Sequence, residues 1–144
     1  MSANTSILQK FDPLAYARIA CGLLYVPHIL FKLNGMAGSA AFFAKAGFQP
    51  PMFFLILALA METVCAVGLT FNILTKWVGF ISAGVLLVAV YATVATKGFG
   101  WLWNLGGIEY LILWAGLSLL LALNAWKQEY AEFGRFSLIF PQRA

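Results

Sequence analysis

Five titratable side chains, Arg18, His28, Lys32, Glu62 and Glu109, fall inside or at the rims of apolar runs long enough to cross a bilayer. A charge held in the hydrocarbon core costs about 2.5 to 3.5 kcal/mol on insertion scales. Such residues therefore turn toward a bundle interior or a water-filled cavity, and they pair with one another. The lone histidine suits hydrogen bonding or proton transfer. It cannot form a bis-histidine haem within one chain, and no second strong ligand stands at useful spacing, so no metal site is expected. The chain lacks a phosphate-binding glycine loop and a Ser/His/Asp triad, which argues against a nucleotide-driven pump and a serine hydrolase.

The elements that must position these groups follow from composition. Of 144 residues, 62% are hydrophobic and 10% charged, with a mean hydropathy of +0.88. Soluble domains carry about 25% charged residues, so an ordinary globular protein is excluded. At about 20 apolar residues per crossing, the pattern predicts an all-α integral membrane four-helix bundle, forming one domain over 1–144. Its spans lie at about 14–33, 52–71, 77–96 and 105–125, followed by an amphipathic tail at 126–144. Asp12-Pro13 supplies a cap and first-turn pair for the first span. Pro27 cannot donate to the Leu23 carbonyl and should bend that span. The Asn34–Pro51 loop has room for an interfacial helix over Ser39–Ala46. Tryptophans at 101 and 103 mark a membrane boundary. The tail places Trp126, Tyr130, Phe133 and Phe140 near one stripe, as in a helix lying on the membrane.

The net charge of +4 does not indicate nucleic acid, because the cations are scattered singly rather than gathered in a basic stripe. They do suggest orientation. Lys10, Arg18, Lys76, Lys127, Arg135 and Arg143 fall on the terminal side, and Lys32, Lys45 and Lys97 on the other. The positive-inside rule then places both termini in the cytoplasm of a bacterial inner-membrane, multi-pass protein. No cleavable signal is expected. Ile19-Ala20-Cys21-Gly22 faintly matches a lipoprotein site, but Arg18 stands where an apolar residue belongs.

Helical periodicity sets Arg18, Tyr25 and Lys32 near one stripe, with His28 one turn from Lys32. Running antiparallel helices at about 1.5 Å per residue puts Glu62 near the height of Arg18, so an Arg18–Glu62 pair is expected. Such a pair could belong to a ligand site or serve only to fix helix packing. A second cluster, nearer the outer ends, comprises His28, Lys32, Tyr91, Asn104, Glu109 and Tyr110. Tyr91 and Tyr110 also suit interface anchoring. Cys21 and Cys65 read as small packing residues, and Gly22, Gly68, Gly79, Gly84, Gly107 and Gly116 as close-packing positions.

These residues resemble the DoxX family of small four-helix bacterial membrane proteins, over about Ala15 to Leu121. The resemblance rests on Arg18, His28 with Lys32-Leu33, Ala58-Leu59-Ala60-Met61-Glu62, the Gly68-Leu69 to Leu74-Thr75-Lys76 turn, and Asn104-Leu105-Gly106-Gly107-Ile108-Glu109-Tyr110. The chain departs from the family's pattern at Ile29 and at Thr63-Val64-Cys65-Ala66, where glycines are frequent. The resemblance implies kinship with membrane subunits of quinone-linked oxidation. The favoured expectation is a redox-associated subunit, with no intrinsic cofactor, that binds a quinone or small ligand in its polar interior. His28 and Tyr91 would then hydrogen-bond quinone oxygens, Glu62 and Glu109 relay protons, and Arg18 and Lys32 stabilise anionic intermediates. Asn104 joins this ligand-binding set. A soluble or membrane oxidoreductase is the expected partner besides the lipid bilayer, and a homo-oligomer is left open. So is catalysis itself: a small-solute transporter and a non-catalytic anchor for a soluble enzyme are the alternatives.

Overall fold

The structure is a computed structural model and describes residues 12–134 and residue 139. Among these residues all regular structure is helical: α1 (Pro13–Leu23), α2 (Tyr25–Asn34), α3 (Met36–Lys45), α4 (Pro51–Phe71), α5 (Thr75–Lys97), a 3-10 turn at Trp103–Leu105, and α6 (Glu109–Phe133). Four helical stretches are long and apolar enough to cross a membrane: Pro13–Asn34, Pro51–Phe71, Thr75–Lys97 and Glu109–Phe133.

Asp12 caps α1, its side chain accepting from the Leu14 amide at 3.0 Å, with Pro13 in the first turn. The break between α1 and α2 falls at Leu24, three residues before Pro27. Leu24 keeps right-handed helical angles, so the two helices form one interrupted span. The missing proline N–H removes a ladder bond one turn back, which locates the interruption. The helix between the first two spans starts earlier than expected, packs on α4 and α5, and has Phe43 buried.

The spans form a ring. The α1–α2 span packs on α4, α4 on α5, α5 most extensively on α6, and α6 returns to α1. Lipid tails are as apolar as leucine, so hydrophobic burial does not drive helices together within the bilayer; close packing and hydrogen bonds must. The packed core joins Cys21, Tyr25, Cys65, Leu69, Val78, Leu86, Trp114, Ala115 and Leu121. Both cysteines are buried and unbonded. Close approach occurs at Gly22, Gly68 and Gly79, where an added Cβ would come within 3 Å of the neighbouring helix or its side chains. Gly84 and Gly116 do not fit that expectation, since nothing lies within 4 Å of a Cβ there. Periodicity reveals a small residue but not which face meets a neighbour.

The fourth span differs from its expected limits at both ends. It starts at Glu109, because the preceding residues fold into a loop: Ile108 N–H donates to Gly100 O and Glu109 N–H to Trp101 O, both at 3.0 Å. It then continues past Trp126 to Phe133 without a break. The expected surface helix is thus, through Phe133, an extension of α6; Arg135 and Phe140 lie outside the described residues. The extension is held by a buried ion pair, Lys76 Nζ to Glu129 Oε2 at 2.6 Å. Lys76 also sits 4.9 Å above the Trp126 ring, whose edge meets Trp77.

Candidate functional site

The polar residues of the interior separate by the direction in which helical side chains tilt. Every Cα–Cβ bond leans toward its helix N-terminus. Lys32, near the end of α2, therefore leans back into the bundle, while Glu62 on antiparallel α4 leans toward the pole from which α4 starts. The two converge: Lys32 Nζ lies 2.7 Å from Glu62 Oε1 and 2.9 Å from Oε2. The side chains are 17% and 10% exposed, which shields the pair from water on most sides.

Arg18, nearer the start of the same span, leans in the same axial direction as Lys32, toward the start of α1, and this carries it away from Glu62. The expected Arg18–Glu62 pair is therefore not formed. Arg18 Nη1 donates to Leu69 O and, at 3.0 Å, to Thr70 O. These carbonyls belong to the last turn of α4, where the ladder runs out of donors. Asn72 closes that helix in the left-handed conformation, and both its amide and that of Ile73 turn to Gly68 O. Arginine thus acts as a side-chain cap for α4.

A second polar line crosses the bundle at mid-height. Tyr25 Oη lies 2.7 Å from Ser82 Oγ, and Ser82 Oγ lies 2.8 Å from Ser118 Oγ. All three residues are almost fully enclosed. Sequence reasoning placed Tyr25 on the right stripe without giving it a role, and it missed both serines. A serine in an apolar helix can bond back to its own carbonyls, so its type alone does not announce an interhelical contact.

Above this line His28 and Tyr110 meet, with Oη 3.4 Å from Nε2 and near-parallel rings. Trp114 packs beneath, its ring centre 4.3 Å from Tyr25, 5.5 Å from Tyr110 and 5.8 Å from His28. Trp114 Nε1 is buried without a hydrogen-bond acceptor among the described residues. Tyr110 also forms one wall of a recess of about 570 Å³ with Trp101, Trp103, Gly107, Glu109 and Leu113. Glu109 is the first residue of α6, and its Oε1 accepts from the Trp103 amide at 3.1 Å. This anchors a carboxylate at a helix N-terminus, where the dipole favours negative charge.

The expected outer cluster is therefore brought together only in part. His28 meets Tyr110 and Trp114, and Lys32, one turn along α2 from His28, pairs with Glu62. Tyr91 is elsewhere: its ring meets the edge of Phe48 at 5.8 Å, within an aromatic group that continues to Phe43 and Phe54. Asn104 is exposed in the 3-10 turn. Glu109 serves the loop and the recess, about a turn nearer the end of its helix than its expected position. Among the described residues no group of three or more His, Cys, Asp or Glu could hold a metal ion.

Gly107 makes the recess possible. A Cβ there would stand 2.4 Å from Trp101 O and 2.6 Å from Leu102 O. Gly107→Ala is accordingly expected to expel the tryptophan loop from α6. Tryptophan emission should shift to the red while the helical circular-dichroism signal stays within about a tenth of wild type; an unchanged spectrum would show that the loop accommodates the methyl group.

Four apolar spans around a polar seam define a multi-pass membrane protein of the helical-bundle class. Residues 14–95 match the DoxX family model, more than half of the chain, and the protein belongs to the DoxX family. The matched segment contains Arg18, His28, Lys32, Glu62 and Ser82, whereas Glu109, Tyr110 and Trp114 lie beyond it. No curated protein and no solved structure matches the chain.

Proposed function

We propose that this DoxX-family protein binds a quinone headgroup in the aromatic recess and presents it to a partner oxidoreductase. The observation that carries the reading is a recess walled by Trp101, Trp103 and Tyr110, with the Tyr110 hydroxyl facing His28 Nε2 outside that lining. Its volume of about 570 Å³ lies within the range of small-molecule sites. Flat indole and phenol walls suit a flat ring, since aromatic groups attract in offset or edge-to-face arrangements. The Tyr110 hydroxyl would donate to a carbonyl oxygen while His28 Nε2–H donates to the Tyr110 oxygen and holds it in place, and Glu109 in the recess wall can exchange a proton with the ligand. The Lys32–Glu62 pair behind them holds two charges in place without presenting an unpaired one to the ligand.

A quinone, when bound, would supply the two-electron chemistry, with the partner providing the electrons. The protein's own residues would orient the ring, hydrogen-bond its oxygens and pass protons at Glu109. Tyr91, on the Phe48 side, has no part in this scheme.

The test is purification of the full chain in mild detergent, followed by mass spectrometry of co-extracted small molecules. Wild type should carry quinone near one per chain. Combining His28→Ala with Tyr110→Phe should lower that content at least tenfold, while the melting temperature falls by only a few degrees. Quinone retained by the double variant overturns the site. Quinone-free wild type that carries a solute into liposomes overturns the function in favour of transport.

A further inference from the structure

At the pole opposite the aromatic recess, a small polar pocket opens among Asp12, Arg18, Asn72, Thr75, Asn124 and Gln128, with leucine and alanine side chains at its sides. It brings together the start of α1, the α4–α5 turn and the second half of α6. The α1 and α5 starts and the α4 end all lie at this pole, and Arg18 is about 8 Å along α1 at 1.5 Å per residue. The pocket therefore falls at the boundary between hydrocarbon and headgroups. It shares no residue with the recess and does not depend on the quinone reading.

Its chemistry is that of a site with two opposite charges. Arginine carries five N–H donors. Nη1 is occupied by the Leu69 and Thr70 carbonyls, which fixes the guanidinium plane and leaves Nε and Nη2 for another acceptor. Asn72, Asn124 and Gln128 add carboxamides, although the Asn72 carbonyl already accepts from Thr75 Oγ1 at 2.7 Å. An arginine fork surrounded by amides suits a phosphate, and basic pockets between transmembrane helices hold lipid headgroups. Asp12 is the second charge. It is exposed at the rim, with Oδ1 accepting from the Leu14 amide. A purely anionic ligand would meet that carboxylate unfavourably, whereas a ligand carrying an ammonium beyond its phosphate would not.

From this juxtaposition we infer that the pocket binds a phosphoethanolamine group, its phosphate on Arg18 and its ammonium on Asp12. The volume of about 80 Å³ holds a phosphate-sized group and leaves the ethanolamine arm at the rim, beside Asp12. Exposed Leu14 offers an adjoining apolar surface for an acyl chain.

The decisive variant is Asp12→Asn, because asparagine caps a helix as well as aspartate and the fold is kept. The full chain in detergent is equilibrated with phosphatidylethanolamine or phosphatidylglycerol, and retained lipid is counted by native mass spectrometry. Wild type should keep the ethanolamine lipid at least tenfold better, and Asp12→Asn should bring the ratio to one or below. Combined Asn124→Leu and Gln128→Leu should weaken retention of both lipids. Competition with soluble glycerophosphoethanolamine separates the sources: displacement at equimolar concentration identifies a free metabolite, and retention identifies the lipid. Equal retention of the two lipids by wild type overturns the inference. So does an Asp12→Asn protein whose preference is unchanged.

Discussion

Replacing Glu62 by alanine is expected to destabilise the protein by about 3 to 5 kcal/mol, the cost of leaving one member of a buried ion pair without its partner. Among the described residues Lys32 would keep its charge with no other carboxylate as a hydrogen-bond partner. Glu62→Gln should cost less, because the amide oxygen can still accept from Nζ. Combined Lys32→Met and Glu62→Met should be milder than Glu62→Ala, since apolar groups of similar volume often replace a buried pair without loss. Stability would be read from denaturation in mixed detergent micelles. The complementary cycle pairs Arg18→Met with Glu62→Met. Arg18 bonds to the α4 terminus rather than to Glu62, so those two losses should add. Strong coupling in the second cycle and additivity in the first would reverse the assignment.

That contrast shows where the sequence was informative. The four spans were legible because about 20 apolar residues without interruption have no other stable environment. The interruption near Pro27 and the helix between the first two spans were legible from local chemistry alone. The partners of the charges were not. Axial height placed Arg18 beside Glu62 to within a side chain's reach, but the lean of each side chain along its helix decides the pairing. That lean carries Lys32 inward and Arg18 away. Tyr91 was misplaced because its face on α5 turns toward Phe48, and axial height alone does not tell which face a residue occupies.

The end of α6 was hidden differently. Lys76 and Glu129 are 53 positions apart, and no local window contains both. Taken separately, Glu129 marks the exit from an apolar run, and Lys76 is a cation in a short turn. Together they neutralise one another and let the helix continue beyond Trp126. The paired charges also tie α5 to α6 at the pole where the phosphate pocket lies. The seam of Tyr25, Ser82 and Ser118 ties the same helices at mid-height. Charge therefore fixes one level of the α5–α6 contact and neutral hydrogen bonding another.

Between those two levels lies Gly79, and its substitution is expected to have the second large effect. A Cβ at this position would stand 2.6 Å from Ser118 O and 2.8 Å from Ala122 Cβ. A carbonyl in the middle of α6 cannot rotate aside without breaking its helix, so the helices must separate. Forcing a methyl group into such a contact costs about 1 to 3 kcal/mol. Separation also stretches the 2.8 Å contact between Ser82 and Ser118, one turn away, and loosens the hold on Tyr25. Ser82→Ala alone should cost under about 2 kcal/mol, the upper range for interhelical hydrogen bonds in membranes. In a Gly79→Ala background the same change should cost almost nothing, because the bond is already lost. Gly84→Ala provides the control, since nothing lies within 4 Å of its added Cβ, and it should leave stability within about 1 kcal/mol of wild type. Equal losses from Gly79→Ala and Gly84→Ala would show that glycine at 79 is not holding the helices together. Full additivity of Gly79→Ala and Ser82→Ala would show that the hydroxyl seam survives the separation.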